Sequence, residues 1–189
     1  MSTPTIAGAL VRPQRAADLQ LSQRGKVAVL VFGAIVVALC FLRFGFSGHA
    51  VVGSFFAAVL VYLGVFDLEH RLIPNRVVLP AAAIVLAAQI ALYPNHAVEW
   101  LAAAVCTAGF FFVTLLLYPP GLGMGDVKLA LLLGAALGTN VVGAVLVAAV
   151  AAAVFGGVLV LRGGAQARKM AIAFGPFLAL GGIVALLLS

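Results

Sequence analysis

Charge is what this chain has least of. Only 8% of its 189 residues are Asp, Glu, Lys or Arg, against about 25% in a soluble globular domain. With 65% hydrophobic residues and a mean hydropathy of +1.26, it cannot cover itself with polar surface in water. A water-soluble fold is excluded, and an integral membrane protein embedded in a lipid bilayer is expected. Cysteine is nearly absent too. Cys40 and Cys106 both lie inside apolar runs and form no CxxC pair, so a thiolate zinc site is excluded and both are expected to be buried, inert thiols. No HExxH stands in the sequence, and Ser54, the one serine clearly within an apolar run, has no GxSxG context; zinc-protease and serine-hydrolase schemes lack their parts. The three histidines, His49, His70 and His96, fall on different connections, so neither a metal nor another cofactor is expected. The net charge of +6 does not imply a nucleic-acid partner, because basic loops on the cytoplasmic side produce the same excess.

What the chain does have is apolar runs. Seven are legible: Val27–Leu42, Val51–Phe66, Val77–Leu92, Val98–Leu117, Val127–Gly138, Val141–Leu161 and Met170–Leu188. The breaks between them, such as "RFGFSGHA", "DLEHRLIPNR" and "YPPGLGMGD", are rich in Gly, Pro, Asn and charge, as turn chemistry requires. The expected fold is all-α: one polytopic bundle of about seven spans at residues 27–189, with its core at 50–189. A polar tail, disordered and cytoplasmic, is expected at 1–26.

The basic residues assign the sides. With the N-terminus in the cytoplasm, seven spans place Arg12, Arg15, Arg24, Lys26, Arg71, Arg76, Lys128, Arg162, Arg168 and Lys169 inside, and only Arg43 outside. Ten of eleven on one face satisfies the positive-inside rule with the C-terminus outside. Merging the fifth and sixth segments would spoil that distribution. A basic flank before an apolar run also describes a signal peptide, with "GHA" as its small-residue site. But 26 residues precede the run and Arg43 follows it, so the first span is expected to be retained.

Two spans look short. Sixteen residues at Val51–Phe66 and twelve at Val127–Gly138 reach about 24 and 18 Å as helices, against a hydrocarbon core of about 30 Å. Each borders an aspartate on the cytoplasmic side: Asp67 follows the second run and Asp126 precedes the fifth. Both are therefore expected below the membrane surface. The remaining acids are Asp18 in the tail, Glu69, and Glu99 on the outer side beside Trp100. Ionisable groups at membrane depth are costly and mark function, although a helix-end aspartate hydrated at the interface, favoured by the macrodipole, has the same sequence appearance. Two adjacent carboxyl groups can hold one proton between them. The ionised one takes a proton from water while the protonated one serves a scissile carbonyl. Asp67 and Asp126 are the available pair for peptide hydrolysis of this kind.

Three stretches carry a resemblance. "GLGMGDVKLALLLG" resembles the GxGD signature of the type IV prepilin peptidases, with Gly123, Gly125 and Asp126 at its fixed positions and Lys128–Leu129 as its continuation. "FDLEHRLIPNRVVLP" resembles the family's other aspartate segment, with Asp67 followed by Ile73, Pro74 and Asn75. "FGPFLALGG", Phe174 to Gly182, resembles its C-terminal FGPF helix. The three occur in family order. The resemblance implies that Asp67 and Asp126 are a catalytic dyad. It also implies that the reaction removes a short basic leader from prepilin or pseudopilin-like proteins, after a glycine, at the cytoplasmic face of the bacterial inner membrane. Larger members of the family carry paired CxxC motifs in a zinc-binding domain that accompanies N-methylation. This sequence has no CxxC, so methyltransferase activity is not expected, and the chain resembles the short peptidase-only members that serve Flp/Tad-type pili. Met124 stands where the family often has a third glycine, and Ala173 where it often has proline.

Supporting roles follow for the neighbours. Pro74–Asn75 ends the loop and starts the third helix with Asn75 as N-cap. Gly123 and Gly125 leave room for an extended peptide backbone. Lys128 acts on a carboxylate or snorkels to the interface. Glu69, His70 and Arg71 form a solvated loop, and Pro176 bends the last helix. Two other classes stay open: a small proton-coupled transporter or channel using the two acids as a relay, and a non-catalytic scaffold of a pilus or secretion system. No internal repeat of the transporter kind is found. The sequence leaves the oligomeric state open.

Overall fold

A computed structural model describes residues 20–118, 122–167 and 173–189, without the side chains of 163–167. Residues 1–19, with Arg12, Arg15 and Asp18, lie outside the described residues, as do Pro119, Pro120, Gly121, Arg168 and Lys169. Among the described residues every regular element is helical and there is no strand. The α-helices are α1 (Gln23–Phe44), α2 (Gly48–His70), α3 (Asn75–Leu92), α4 (Ala97–Leu117), α5 (Met124–Leu137), α6 (Val141–Ala167) and α7 (Gly175–Leu188). Short 3₁₀ turns at Pro94–His96 and Gly138–Asn140 precede α4 and α6.

The apolar runs, where their residues are described, lie mainly on these helices, even with Pro80 inside α3, because a membrane-embedded backbone must satisfy its hydrogen bonds internally. Five stretches are long and apolar enough to cross a membrane: Gln23–Phe44, Gly48–His70, Asn75–Leu92, Pro94–Leu117 and Met124–Arg162. The last joins α5, a 3₁₀ turn and α6. The 14-residue α7 is shorter. Length alone thus counts the fifth and sixth runs together. The backbone does break between them, at Gly138, where φ is +55°, a conformation open to glycine at little cost.

Contacts along the helices give the layout. Trp100 on α4 packs over Gly138, Gln89 on α3 donates to the carbonyl of Ala136 on α5 at 2.9 Å, and Arg43 on α1 donates to Leu187 on α7 at 3.3 Å. These mark one end of the bundle. Gly175 against Asp67 and Gly125 against Ile73 mark the other. Successive helices run in alternating directions between the two ends. α7 lies centrally, packed on α2, α5 and α6. Ala179 meets Gly64 of α2, and Gly182 meets Leu133 of α5 and Leu60 of α2. The core gathers Phe56, Leu60, Leu63, Leu129, Leu132, Leu133 and Leu178, all fully buried. The outer faces of α4 and α6 expose Val98, Leu101, Phe110, Val142, Leu146 and Val150, which is the surface a bilayer would cover.

The structure corrects four expectations. α2 has 23 residues, not 16, and reaches about 34 Å. Its helix continues through Asp67, Leu68, Glu69 and His70 because hydrogen bonding does not stop where hydropathy falls. Glu69 and His70 are therefore helical, and the turn is made by Arg71 in the left-handed region (φ 52°). The argument from shortness thus fails for Asp67, while α5, at 14 residues or about 21 Å, remains short. Pro176 starts α7 in its first turn instead of bending it, where its missing N–H costs nothing. Cys40 is buried as expected, but Cys106 is exposed on α4, on a face turned outward from the bundle.

Candidate active site

Asp67 lies in the last turn of α2 and Asp126 in the first turn of α5. Both come to the same end of the bundle, and both are buried, with 6% and 8% of their surface exposed. Buried carboxylates are ordinarily paired with a cation. Among the described residues neither forms an ion pair.

A backbone amide holds one of them. Asp126 reaches back along its own helix, and its Oδ2 accepts from the N–H of Gly123 at 2.9 Å. This is the acidic half of a capping box, and it fixes the side chain at the positive end of α5. Asp67 faces the start of α7. A Cβ built on Gly175 would stand 2.5 Å from Asp67 Oδ2 and 3.0 Å from its Cγ. Only glycine lets the N-terminus of α7 come this near the carboxylate. Gly175 was singled out by no spacing argument; its signal was the "FGPF" stretch taken as a whole.

The remaining candidates divide. Gly125 packs on Ile73, with a built Cβ 3.0 Å from the isoleucine Cβ, so it joins the start of α5 to the α2–α3 turn. Ile73 and Pro74 are buried there. Asn75 is not the N-cap: that position is Pro74, which has no side chain to cap with. Asn75 is the first residue of α3, and its Oδ1 accepts from Lys128 Nζ at 2.7 Å. Lys128 is therefore engaged with an amide oxygen. Glu69, two residues past Asp67, accepts from both the backbone N–H (2.9 Å) and the hydroxyl of Ser22, and Ser22 caps α1 through Gly25 N–H at 3.0 Å. His70 stacks on Phe66 at 4.5 Å between centroids. Among the described residues no three His, Cys, Asp or Glu side chains gather as a metal site would need.

The structure thus brings two buried carboxyl groups to one end of the bundle, Asp126 held by a backbone N–H and Asp67 set against the start of α7. Comparison with known proteins bears on what that arrangement serves. The sequence model of the type IV leader peptidase family matches residues 54–161. A prepilin leader peptidase/N-methyltransferase of Bacillus subtilis (strain 168) is 29% identical over 157 residues, 82% of this chain and 62% of the relative. A protein of the same description from Burkholderia pseudomallei (strain 1026b) is 33% identical over 165 residues, 83% of this chain and 52% of the relative. One from Xanthomonas campestris pv. campestris is 31% identical over 148 residues, 75% and 51% respectively. The chain thus spans between half and two thirds of the length of these relatives. No solved structure matches it.

Proposed function

Because the chain belongs to the type IV leader peptidase family, we propose that it is a multi-pass aspartic endopeptidase that removes the short basic leader of prepilin-like proteins. In this reading Asp67 and Asp126 activate one water. One carboxylate takes its proton, and the other, protonated, donates to the carbonyl oxygen of the scissile peptide bond. The collapse of the tetrahedral adduct returns a proton to the leaving amine. The observation that carries the reading is the convergence of the two buried aspartates from α2 and α5, each inside a segment resembling a family motif.

The bond cut follows a glycine, just before the substrate's apolar helix. The reaction takes place at the cytoplasmic face of the bacterial inner membrane, with seven spans, the N-terminus inside and the C-terminus outside. The distribution of charge supports that orientation. Arg24, Lys26, Arg71, Arg76 and Lys128 stand at the aspartate end, and Arg43 stands at the other. Gly123 flanks the path of the substrate backbone, Gly125 seats Ile73 against the start of α5, and Pro74 with Asn75 shapes the opposing turn. N-methylation is left out of the reading, since Cys40 and Cys106 form no CxxC pair.

The test is leader cleavage of a co-expressed prepilin in membranes, comparing wild type with Asp67→Asn and Asp126→Asn. Each variant is expected to accumulate uncleaved prepilin while the enzyme is present at normal level. Cleavage surviving in either one rejects the dyad.

A further inference from the structure

The two carboxylates sit on helices whose backbones do not pack side by side. α2 and α5 lean on α3 and α7 instead. The separation of Asp67 from Asp126 is therefore set by intermediaries. α7 meets Asp67 at Gly175. α3 is joined to the end of α2 by the short turn Arg71–Pro74. Whatever fixes the start of α3 against α5 thus fixes one carboxylate against the other.

Two contacts do this. Ile73 fills the space left by the missing side chain of Gly125, one residue before Asp126. Lys128, two residues after Asp126, donates to Asn75 Oδ1 at 2.7 Å. The two contacts bracket Asp126 along α5. The first is apolar and tolerates sliding. The second is directional, since an ammonium on an amide oxygen constrains distance and angle together. Asn75 is exposed and Lys128 only partly buried, so the bond contributes little to global stability. It lies where a small displacement matters most, because misplacing catalytic groups by about 1 Å can cost about a hundred-fold in rate.

On the premise that Asp67 and Asp126 are the catalytic pair, we propose that Asn75 and Lys128 are positioning residues. Their hydrogen bond sets the separation of the two carboxylates by locking the start of α3 to the first turns of α5. Neither residue touches the reacting atoms. Asn75 acts through the Arg71–Pro74 turn on Asp67, and Lys128 acts through α5 on Asp126.

The experiment measures kcat and KM of the full chain in detergent, on a prepilin segment with a basic leader, a glycine and an apolar helix. The variants are Asn75→Ala, Lys128→Met, the double variant and Asn75→Asp, with Asp126→Asn as reference. Each single truncation is expected to lower kcat about ten-fold at unchanged KM. The double variant falls no further than the worse single, since both remove one bond. Asn75→Asp, which still accepts from Lys128, keeps wild-type kcat. Losses that multiply, a rise in KM at constant kcat, or an Asp variant as poor as Ala each overturn the proposal. Hydrogen exchange gives a readout independent of activity. The amides of Val77 and Val78 bond to the Pro74 carbonyl in the first turn of α3. They are expected to exchange faster in both truncations and normally in Asn75→Asp, and unchanged protection removes the lock. Should Asp126→Asn still cleave, the proposed function falls, whereas the exchange data continue to decide whether the lock exists.

Discussion

The two ends of this bundle treat their acids in opposite ways. At the far end, Glu99 is accessible and fully engaged: it pairs with His96 at 2.9 Å and accepts from Thr139 at 3.2 Å. Around it lie aromatic contacts, with His49 set edge-on between Phe44 and Tyr93 at 5.0 and 6.1 Å, and Trp100 over the Gly138 turn. At the near end, Asp67 and Asp126 are buried and, among the described residues, form no ion pair. A bundle needing only to close its helix ends would follow the first pattern, because exposed acids with partners cost almost nothing. The second pattern costs solvation and leaves two buried carboxyl groups at one end of the bundle. Asymmetry of this kind in one small helical protein makes the near end the candidate for chemistry.

The largest effect in breaking that contrast should come from moving a carboxylate without removing it. Asp67→Glu and Asp126→Glu keep the carboxyl group and add one methylene, which at Asp67 crowds the close approach of Gly175. Cleavage of prepilin is expected to fall at least about a hundred-fold for each, while both proteins remain in the membrane. Rates near wild type would mean that the near end does not depend on the placement of these groups.

A smaller loss is expected from Gly175→Ala. The new methyl meets Asp67 Oδ2 and Cγ, so the carboxylate must rotate or α7 must withdraw. The expected result is a roughly ten-fold drop in kcat with KM unchanged. Gly143→Ala, where a Cβ meets nothing within 4 Å, serves as the control and should cleave normally. Equal behaviour of the two would show that α7 does not hold Asp67.

Next comes the Glu69–Ser22 contact, which belongs to the near end by position but resembles the far end in chemistry. Its carboxylate is exposed and accepts two hydrogen bonds. Glu69→Gln is expected to leave cleavage within about two-fold of wild type. The amide of Gly25, which Ser22 caps, should exchange faster. Loss of cleavage would make the start of α1 part of the machinery and move the boundary between the two patterns.

How much of this was legible beforehand differs by element. The apolar runs located all the helices, because a membrane-embedded backbone has few alternatives to helix. Their ends were misplaced where polar residues extend the helix, as at Asp67–His70, since hydropathy measures side chains and not hydrogen bonding. The two aspartates stood out because only five acids occur in the chain. What could not be read was pairing across long separations. Ser22 with Glu69 and Gln89 with Ala136 are each 47 positions apart, and Lys128 with Asn75 are 53 apart. Asn75 looked like a cap because Asn often caps helices. The fold put Pro74 in that place and turned Asn75 toward α5. Gly175 was hidden for a related reason, since a glycine required by close approach looks like any other until its neighbour is known.

The smallest effect should come from the far end itself. Glu99→Gln removes one charge from an exposed pair and keeps one acceptor oxygen, with an amide NH2 donor in place of the other. Exposed pairs of this kind contribute little, since solvent screens them and the side chains give up freedom to form them. Prepilin cleavage is expected at the wild-type rate, and the melting temperature in detergent should not move within error. The contrast between the ends then becomes quantitative, because one acid is silent where either of the other two abolishes cleavage. A clear loss of cleavage in Glu99→Gln would instead couple the ends through α4, whose Ala103 and Ala104 press on Gly134 of α5, eight residues from Asp126.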